Sequence, residues 1–461
     1  MKGFLPLVSV FLVILSCNTT EKKDAVLFAG EIVNPSSAYV VLLKGRKVID
    51  SAKLDGNNRF TFRLKSIEDG LYHFNHAPEF QYVFLEKGDS LQLRLNTAYF
   101  DESLVFSGTN EDVNNFLLEV FLSGEEEEQT IRTQYYNLEA NEFTAQVNKL
   151  RNEKLKMLEA IKEESGLSEG AFEMAKSSID YTYYRYLEIY PFEHKKKLRD
   201  HDLHELSDEF YAYRKNINYN DKNLSYLRPY YNFMKNHVGN LSYMTCKHAC
   251  KDRSTLGNNQ FHFNMHKLNV IDSLILEKEL RDNLFRNVAF DYLLKAHDSQ
   301  ENNKVFIDDF QRVSGNNAHI KEIENLYHGI RNMQPNGPIP SILVMSIADT
   351  PISLPDIAKG KKTVFYFWSA TNKTHYQNLF KRVDELSKQK PEYDFVGINI
   401  KTDEQHWKGI LDYFKLDSKK QFRSEDFEEI TEKLILYPMN KCIITDDALI
   451  VDAFSNIYSN F

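Results

Sequence analysis

The amino-acid sequence predicts a multidomain α+β chain: an N-terminal β-sandwich, an α-helical middle region and a C-terminal α/β domain. Three observations predict it. Stretches between residues 25 and 108 alternate apolar and polar side chains, the period of half-buried strands. Residues 109–334 place apolar side chains at helical steps. Val364, Phe365, Tyr366, Phe367 and Trp368 then form an unbroken apolar run, as in a strand covered on both faces. At 461 residues the chain exceeds one ordinary core. Its composition, 42% hydrophobic and 27% charged, is that of a globular protein. A net charge of −9 and the lack of an extended basic stripe exclude nucleic acid as a partner.

The first residues read as a targeting segment. Lys2 precedes an apolar stretch, Phe4 to Leu15, too short to span a membrane comfortably. It ends in Leu15-Ser16-Cys17, which resembles a bacterial lipobox. That resemblance implies a signal peptide over residues 1–17, cleavage before Cys17, lipidation of its sulfur and a polar tether over 18–24. A lipid-anchored protein of the bacterial envelope, facing the periplasm and on the outer rather than the inner membrane, is the expected location. An ordinary signal peptide with an incidental cysteine is the other reading.

In the β-rich part, Phe60, Phe62 and Leu64 alternate with Thr61 and Arg63, and Leu91, Leu93 and Leu95 with Gln92 and Arg94. Asp55-Gly56-Asn57-Asn58 and Lys87-Gly88-Asp89 are turns. Residues 25–108 are therefore read as a small sandwich. Its Phe84–Leu95 phrase resembles the DUF4369-type domain that precedes thioredoxin-like domains in envelope lipoproteins. Asp50, Asp55, Glu86 and Asp89 read as solvated strand ends rather than a cation site. In the helical part, Val147, Leu150, Leu155, Leu158 and Ile161 share a helical period, and the acidic run Glu125–Glu128 reads as a loop between helices. Tyr183, Tyr186 and Tyr190 lie near one helical face. A packed interface is favoured over a binding platform.

Cys246 and Cys250 are four apart, as are His262 and His266, close to the spacing of a Cys2His2 zinc site. The intervening segment lacks a zinc finger's apolar spacing, so no metal is expected. A Cys246–Cys250 disulfide is geometrically feasible, and unpaired structural cysteines are the third possibility.

Gly337-Pro338-Ile339-Pro340 marks the start of the last domain, taken as residues 335–461. There Ile352–Trp368 leads through the turn Ser369-Ala370-Thr371-Asn372 into a helix with Tyr376, Leu379, Phe380, Val383 and Leu386 on one face. Asp394–Ile400 reads as a second strand, and Tyr437-Pro438 precedes a hairpin. This set resembles the thioredoxin fold, in particular TlpA-like thiol-disulfide oxidoreductases. The resemblance implies a Cys-x-x-Cys after the tryptophan and a cis-proline opposite it. Here Ser369 and Asn372 stand at the cysteine positions and Pro438 at the proline. Disulfide exchange needs a thiolate and a resolving thiol, so these positions cannot perform it. Cys442 reads as a small buried residue.

The expected function is a redox-inactive binding or scaffold protein for extended peptides, without cofactor. Trp368, Ser369, Ala370, Thr371, Asn372, Tyr437 and Pro438 would form the recognition surface. The alternative is a thiol-disulfide oxidoreductase or peroxidase using displaced cysteines, Cys442 or the Cys246/Cys250 pair.

Overall fold

Alternation becomes two stacked sheets at the N-terminus. The computed structural model describes residues 24–199, 206–245, 260–295, 298–371, 373–437 and 440–459. Among them are β1 (Val26–Val33), β2 (Tyr39–Lys44), β3 (Lys47–Lys53), β4 (Arg59–Leu64), β5 (Gly70–His76), β6 (Glu79–Leu85), β7 (Ser90–Asn96), the short helix α1 (Phe100–Ser103) and β8 (Val105–Gly108). The strands form one sheet in the order β4-β1-β7-β8 and another in the order β3-β2-β5-β6. Phe60, Phe62 and Leu64 of β4 point inward, as do Leu91, Leu93 and Leu95 of β7. Phe28 of β1 meets Phe60, Phe62 and Phe74 at ring separations of 5.6, 6.1 and 6.0 Å. Each such buried ring contributes about 1.5–3 kcal/mol.

Asp55 and Asp89 are turn acceptors, and Asp89 is buried rather than a solvated strand end. Asp55 Oδ1 accepts from the backbone N–H groups of Asn57 and Arg59 at 2.8 and 2.9 Å. Asp89 Oδ2 accepts from Glu86 N at 2.7 Å.

The chain divides into two compact units, Met1–His237 and Val238–Phe461. The first adds α2 (Glu111–Thr133), α3 (Ala140–Ser165) and α4 (Glu169–Leu198) to the sandwich, and α5 (Arg228–Met244) runs across the boundary. Asn114 of α2 docks on the sheet by accepting from Phe84 N at 2.7 Å and donating to Phe84 O at 3.0 Å. Tyr183, Tyr186 and Tyr190 of α4 are buried, so their stripe is packing. The acidic run is not a loop. Glu125–Glu128 lie inside α2, where Glu127 accepts from the Tyr183 hydroxyl at 2.6 Å and Glu128 pairs with Arg185 at 2.8 Å. Partners on another helix make a charge run compatible with helix, which local sequence cannot show.

The second unit begins with α6 (Gln260–Leu274), α7 (Lys278–Lys295), α8 (Gln300–Ser314) and α9 (Ile320–Asn332). There follow β9 (Leu343–Met345), β10 (Pro351–Ser353), α10 (Leu354–Ala358), β11 (Lys362–Trp368), α11 (Lys373–Gln389), β12 (Asp394–Asn399), α12 (Glu404–Phe414), β13 (Gln421–Arg423), α13 (Phe427–Leu434), β14 (Lys441–Asp446) and β15 (Leu449–Asn456). These strands make one sheet in the order β10-β9-β13-β12-β11-β14-β15. β11 is parallel to β12 and antiparallel to β14, and β14 and β15 form a hairpin. A parallel βαβ pair continued by an antiparallel hairpin is the thioredoxin-like arrangement. The hairpin closes through Asp447 and Ala448, both left-handed at φ 47° and 63°, as a two-residue turn between twisted strands requires.

Position in this sheet explains the apolar run. Val364, Tyr366 and Trp368 face one side of β11, against Leu379 and Phe380 of α11 and Trp407 of α12. Phe365 and Phe367 are also buried. Among the described residues no helix is long and apolar enough to cross a membrane.

Candidate functional site

The turn after β11 is closed by its own side chains. Ser369 Oγ donates to Lys401 O at 3.2 Å, lies 3.0 Å from Thr371 Oγ1 and accepts from Thr371 N at 3.3 Å. Ala370 N donates to Thr402 Oγ1 at 3.0 Å, and the same oxygen accepts from Asn399 Nδ2 at 2.9 Å. No imidazole or carboxylate among the described residues bonds to Ser369 Oγ, so nothing there activates the hydroxyl as a nucleophile. Asn372 and Pro438, the expected second position of a thiol pair and the expected cis-proline, lie outside the described residues.

Two expected surface residues are core residues. Trp368 is 0% exposed and Ser369 6%. Trp368 is the last residue of β11. Its ring packs on Phe380 at 5.1 Å and Tyr376 at 6.0 Å, and its Nε1 donates to Gln421 Oε1 at 3.3 Å. A ring so enclosed cannot meet a partner. Of the other turn residues expected at the recognition surface, Ala370 is half-buried and Thr371 exposed.

Tyr437 is half-exposed and belongs to a cleft of about 1020 Å³ within the second unit. Leu326, Ile339 and Ile435 contribute apolar lining. Tyr437 and Phe290 meet edge-on at 6.5 Å and make an aromatic shelf. Gly329 lets α9 approach the end of α13, since a Cβ there would lie 3.1 Å from Ile435 Cδ1. Ile339 N donates to Ala448 O and Ile450 N to Gly337 O. The opposite edge of this extended segment is that of Pro338 and Pro340, which have no N–H. That edge can accept hydrogen bonds but not extend a ladder.

The one cysteine among the described residues is inaccessible. Cys442 is 0% exposed and pairs with Tyr366 across β14 and β11. Ser369 lies three residues beyond Tyr366, just past the end of β11, about 10 Å away at strand rise. Burial pushes the Cys442 thiol up to about 12, so it stays protonated at neutral pH. Both its burial and its raised pKa weigh against redox chemistry through Cys442. Cys17, Cys246 and Cys250 lie outside the described residues. His262 and His266 sit on α6 with rings 6.5 Å apart, and His266 Nδ1 donates to Ser242 O at 2.7 Å. Among the described residues no cluster of three or more His, Cys, Asp or Glu side chains could hold a metal.

Sequence reasoning missed Lys441, whose ammonium is buried beside Cys442. Its Nζ donates to the carbonyls of Leu434 and Ile435 at 2.5 and 3.0 Å and lies 4.2 Å from the Phe454 ring centre. A neutral amine still has two N–H groups for those two carbonyls. Burial pushes Lys441 down to about 7 from 10.5. Between those values the unfolded chain holds a proton that the folded one has lost, so folding stability rises with pH across that window. Lys441→Met should remove this rise. Urea unfolding of both proteins at pH 7 and pH 9.5 checks it: a stability difference that does not change with pH would refute the assignment.

No protein-family model matches the chain, and no curated protein matches it. Solved structures similar to part of it are thioredoxin-like domains of thiol-disulfide oxidoreductases. One, assigned as a thiol-disulfide oxidoreductase from Bacteroides vulgatus, is 21% identical, with 28% of this chain and 91% of that one covered at a TM-score of 0.25. The thioredoxin domain of another thiol-disulfide oxidoreductase from Bacteroides vulgatus is 20% identical, covering 26% and 86% at 0.22. A domain assigned as a thiol-disulfide isomerase from Cytophaga hutchinsonii is 18% identical, covering 27% and 86% at 0.24. The fold assignment here rests on the strand order and register described above.

Proposed function

We propose that this protein is a redox-inactive, thioredoxin-like lipoprotein of the bacterial envelope that binds extended peptide segments in the cleft beside Tyr437. One observation carries the reading. The turn where thiol chemistry would occur holds a serine tied to its own backbone, and Cys442 is sealed, while Tyr437 stays half-exposed over a cleft lined by apolar side chains and by the charged Glu322, Arg331, Glu432 and Lys433. The proline edge accepts but does not donate hydrogen bonds, so side chains seated on the Tyr437–Phe290 shelf would carry most of the affinity. The anchor on Cys17 is supported by Leu15-Ser16-Cys17 alone, and with it the cleft would face the periplasm.

The purified protein should give no turnover in an insulin-reduction assay. It should enrich apolar or aromatic peptides from an extended-peptide library. Tyr437→Ala should weaken those peptides about tenfold or more, the scale of an aromatic anchor. Sustained insulin reduction, or peptide affinities unmoved by Tyr437→Ala, would end this reading.

A further inference from the structure

A second cavity, of about 850 Å³, lies within the thioredoxin-like part, away from the residues of the Tyr437 cleft. Its floor is set by one row across the sheet. Tyr366 of β11 pairs with Gly397 of β12, and Gly397 with Gln421 of β13. A Cβ at Gly397 would lie 2.3 Å from Gln421 Oε1 and 2.7 Å from Tyr366 Oη, so the glycine makes room for the polar pair above it. Both members of that pair line the cavity and are at least nine-tenths buried.

The hydrogen-bond polarity of this row is determined. The Trp368 indole N–H can only donate, so it fixes Gln421 Oε1 as its acceptor, at 3.3 Å. Gln421 Nε2 therefore faces Tyr366 and donates to its Oη at 2.6 Å. Tyr366 Oη is used as an acceptor, and its own proton has no protein acceptor among the described residues. Burial pushes Tyr366 up to about 12, so the proton is present at any physiological pH. Phe380, Phe395 and Phe414 supply aromatic wall. Among the charged lining residues Lys420 is held by Asp394 at 2.5 Å, Asp384 by Lys388 at 2.6 Å, and Asp417 accepts from the Lys419 N–H at 3.0 Å. Lys381 and Lys415 also line the cavity, are exposed and enter no ion pair with the described residues.

We infer that this cavity binds a small aromatic carboxylate that carries a hydrogen-bond acceptor opposite its acid group. The acceptor oxygen takes the Tyr366 proton, the ring lies among the phenylalanines, and the carboxylate reaches Lys381 and Lys415. This inference does not depend on the peptide reading.

The probe is 4-acetylbenzoate, compared by calorimetry with 4-isopropylbenzoate, which keeps shape and charge but lacks the acceptor, and with acetophenone, which lacks the charge. The acetyl compound should bind about tenfold more tightly than the isopropyl one, the worth of one hydrogen bond to a buried group. Tyr366→Phe should abolish that preference. Lys381→Ala with Lys415→Ala, both surface changes, should weaken 4-acetylbenzoate several-fold and flatten its salt dependence while leaving acetophenone unchanged. The inference is overturned by no saturable binding of 4-acetylbenzoate, by equal binding of the acetyl and isopropyl compounds, or by a lysine double variant that binds like the parent. The lysine variant decides the matter if Tyr366→Phe fails to fold.

Discussion

Glu188→Ala is expected to destabilise the Met1–His237 unit by about 3–5 kcal/mol, the cost of breaking a buried ion pair by removing one member. Glu188 is 0% exposed, in the middle of α4. Its Oε1 accepts from Tyr213 Oη at 2.7 Å, Arg214 Nε at 2.9 Å and His237 Nδ1 at 2.6 Å, and its Oε2 from Arg214 Nη2 at 2.6 Å. Tyr219 Oη meets the other ring nitrogen of His237 at 2.9 Å. One carboxylate thus answers a buried imidazole and a part-buried guanidinium and phenol, whose donors would otherwise lose this acceptor. Glu188→Ala strands all three at once. Guanidinium unfolding followed by circular dichroism reads the loss, and a change below about 1 kcal/mol would show that the network contributes little.

The same group sets a pH dependence. Burial alone would push the Glu188 carboxyl up, but the His237 and Arg214 bonds outweigh it and hold it below its ordinary 4.5. A depressed acid stabilises the fold above its unfolded value. Its contribution is therefore complete above pH 4.5 and is lost as pH falls through the lower folded value. Glu188→Gln should unfold with a shallower acid limb than the parent.

Sequence made the strands and the large apolar faces legible because each is written in a local period. Phe60, Phe62 and Leu64 need only their neighbours to announce a half-buried strand, and Val364–Trp368 a buried one. What sequence could not supply is a partner. Glu188 finds Arg214 26 residues away and His237 49 residues away. The Tyr366–Gly397–Gln421 row joins three strands that no short window contains. Glu125–Glu128 misled for the same reason, since the groups that accommodate Glu127 and Glu128 sit on α4. At the candidate site the serine at position 369 was readable letter by letter. Whether a side chain beside it faced water was not.

Trp368 shows how much turns on that last point. Read from sequence it both ends a strand covered on two faces and belongs to the expected recognition surface, so Trp368→Ala could be taken for a binding-site mutation like Tyr437→Ala. Enclosed as it is, Trp368→Ala should instead cost about 3–5 kcal/mol, the price of emptying a buried tryptophan site. The Gln421 oxygen would also lose its donor. Trp368→Phe keeps most of the volume and should cost less, with the Gln421 oxygen still deprived of its partner. Tyr437→Ala, at a half-exposed position, should leave unfolding within about 1 kcal/mol of the parent while reducing peptide affinity. The two variants thus separate: one lowers the unfolding midpoint, the other the affinity. If Trp368→Ala kept the parent's stability and lost only binding, the tryptophan would have to leave the core in solution, and the turn after β11 would again be a recognition surface.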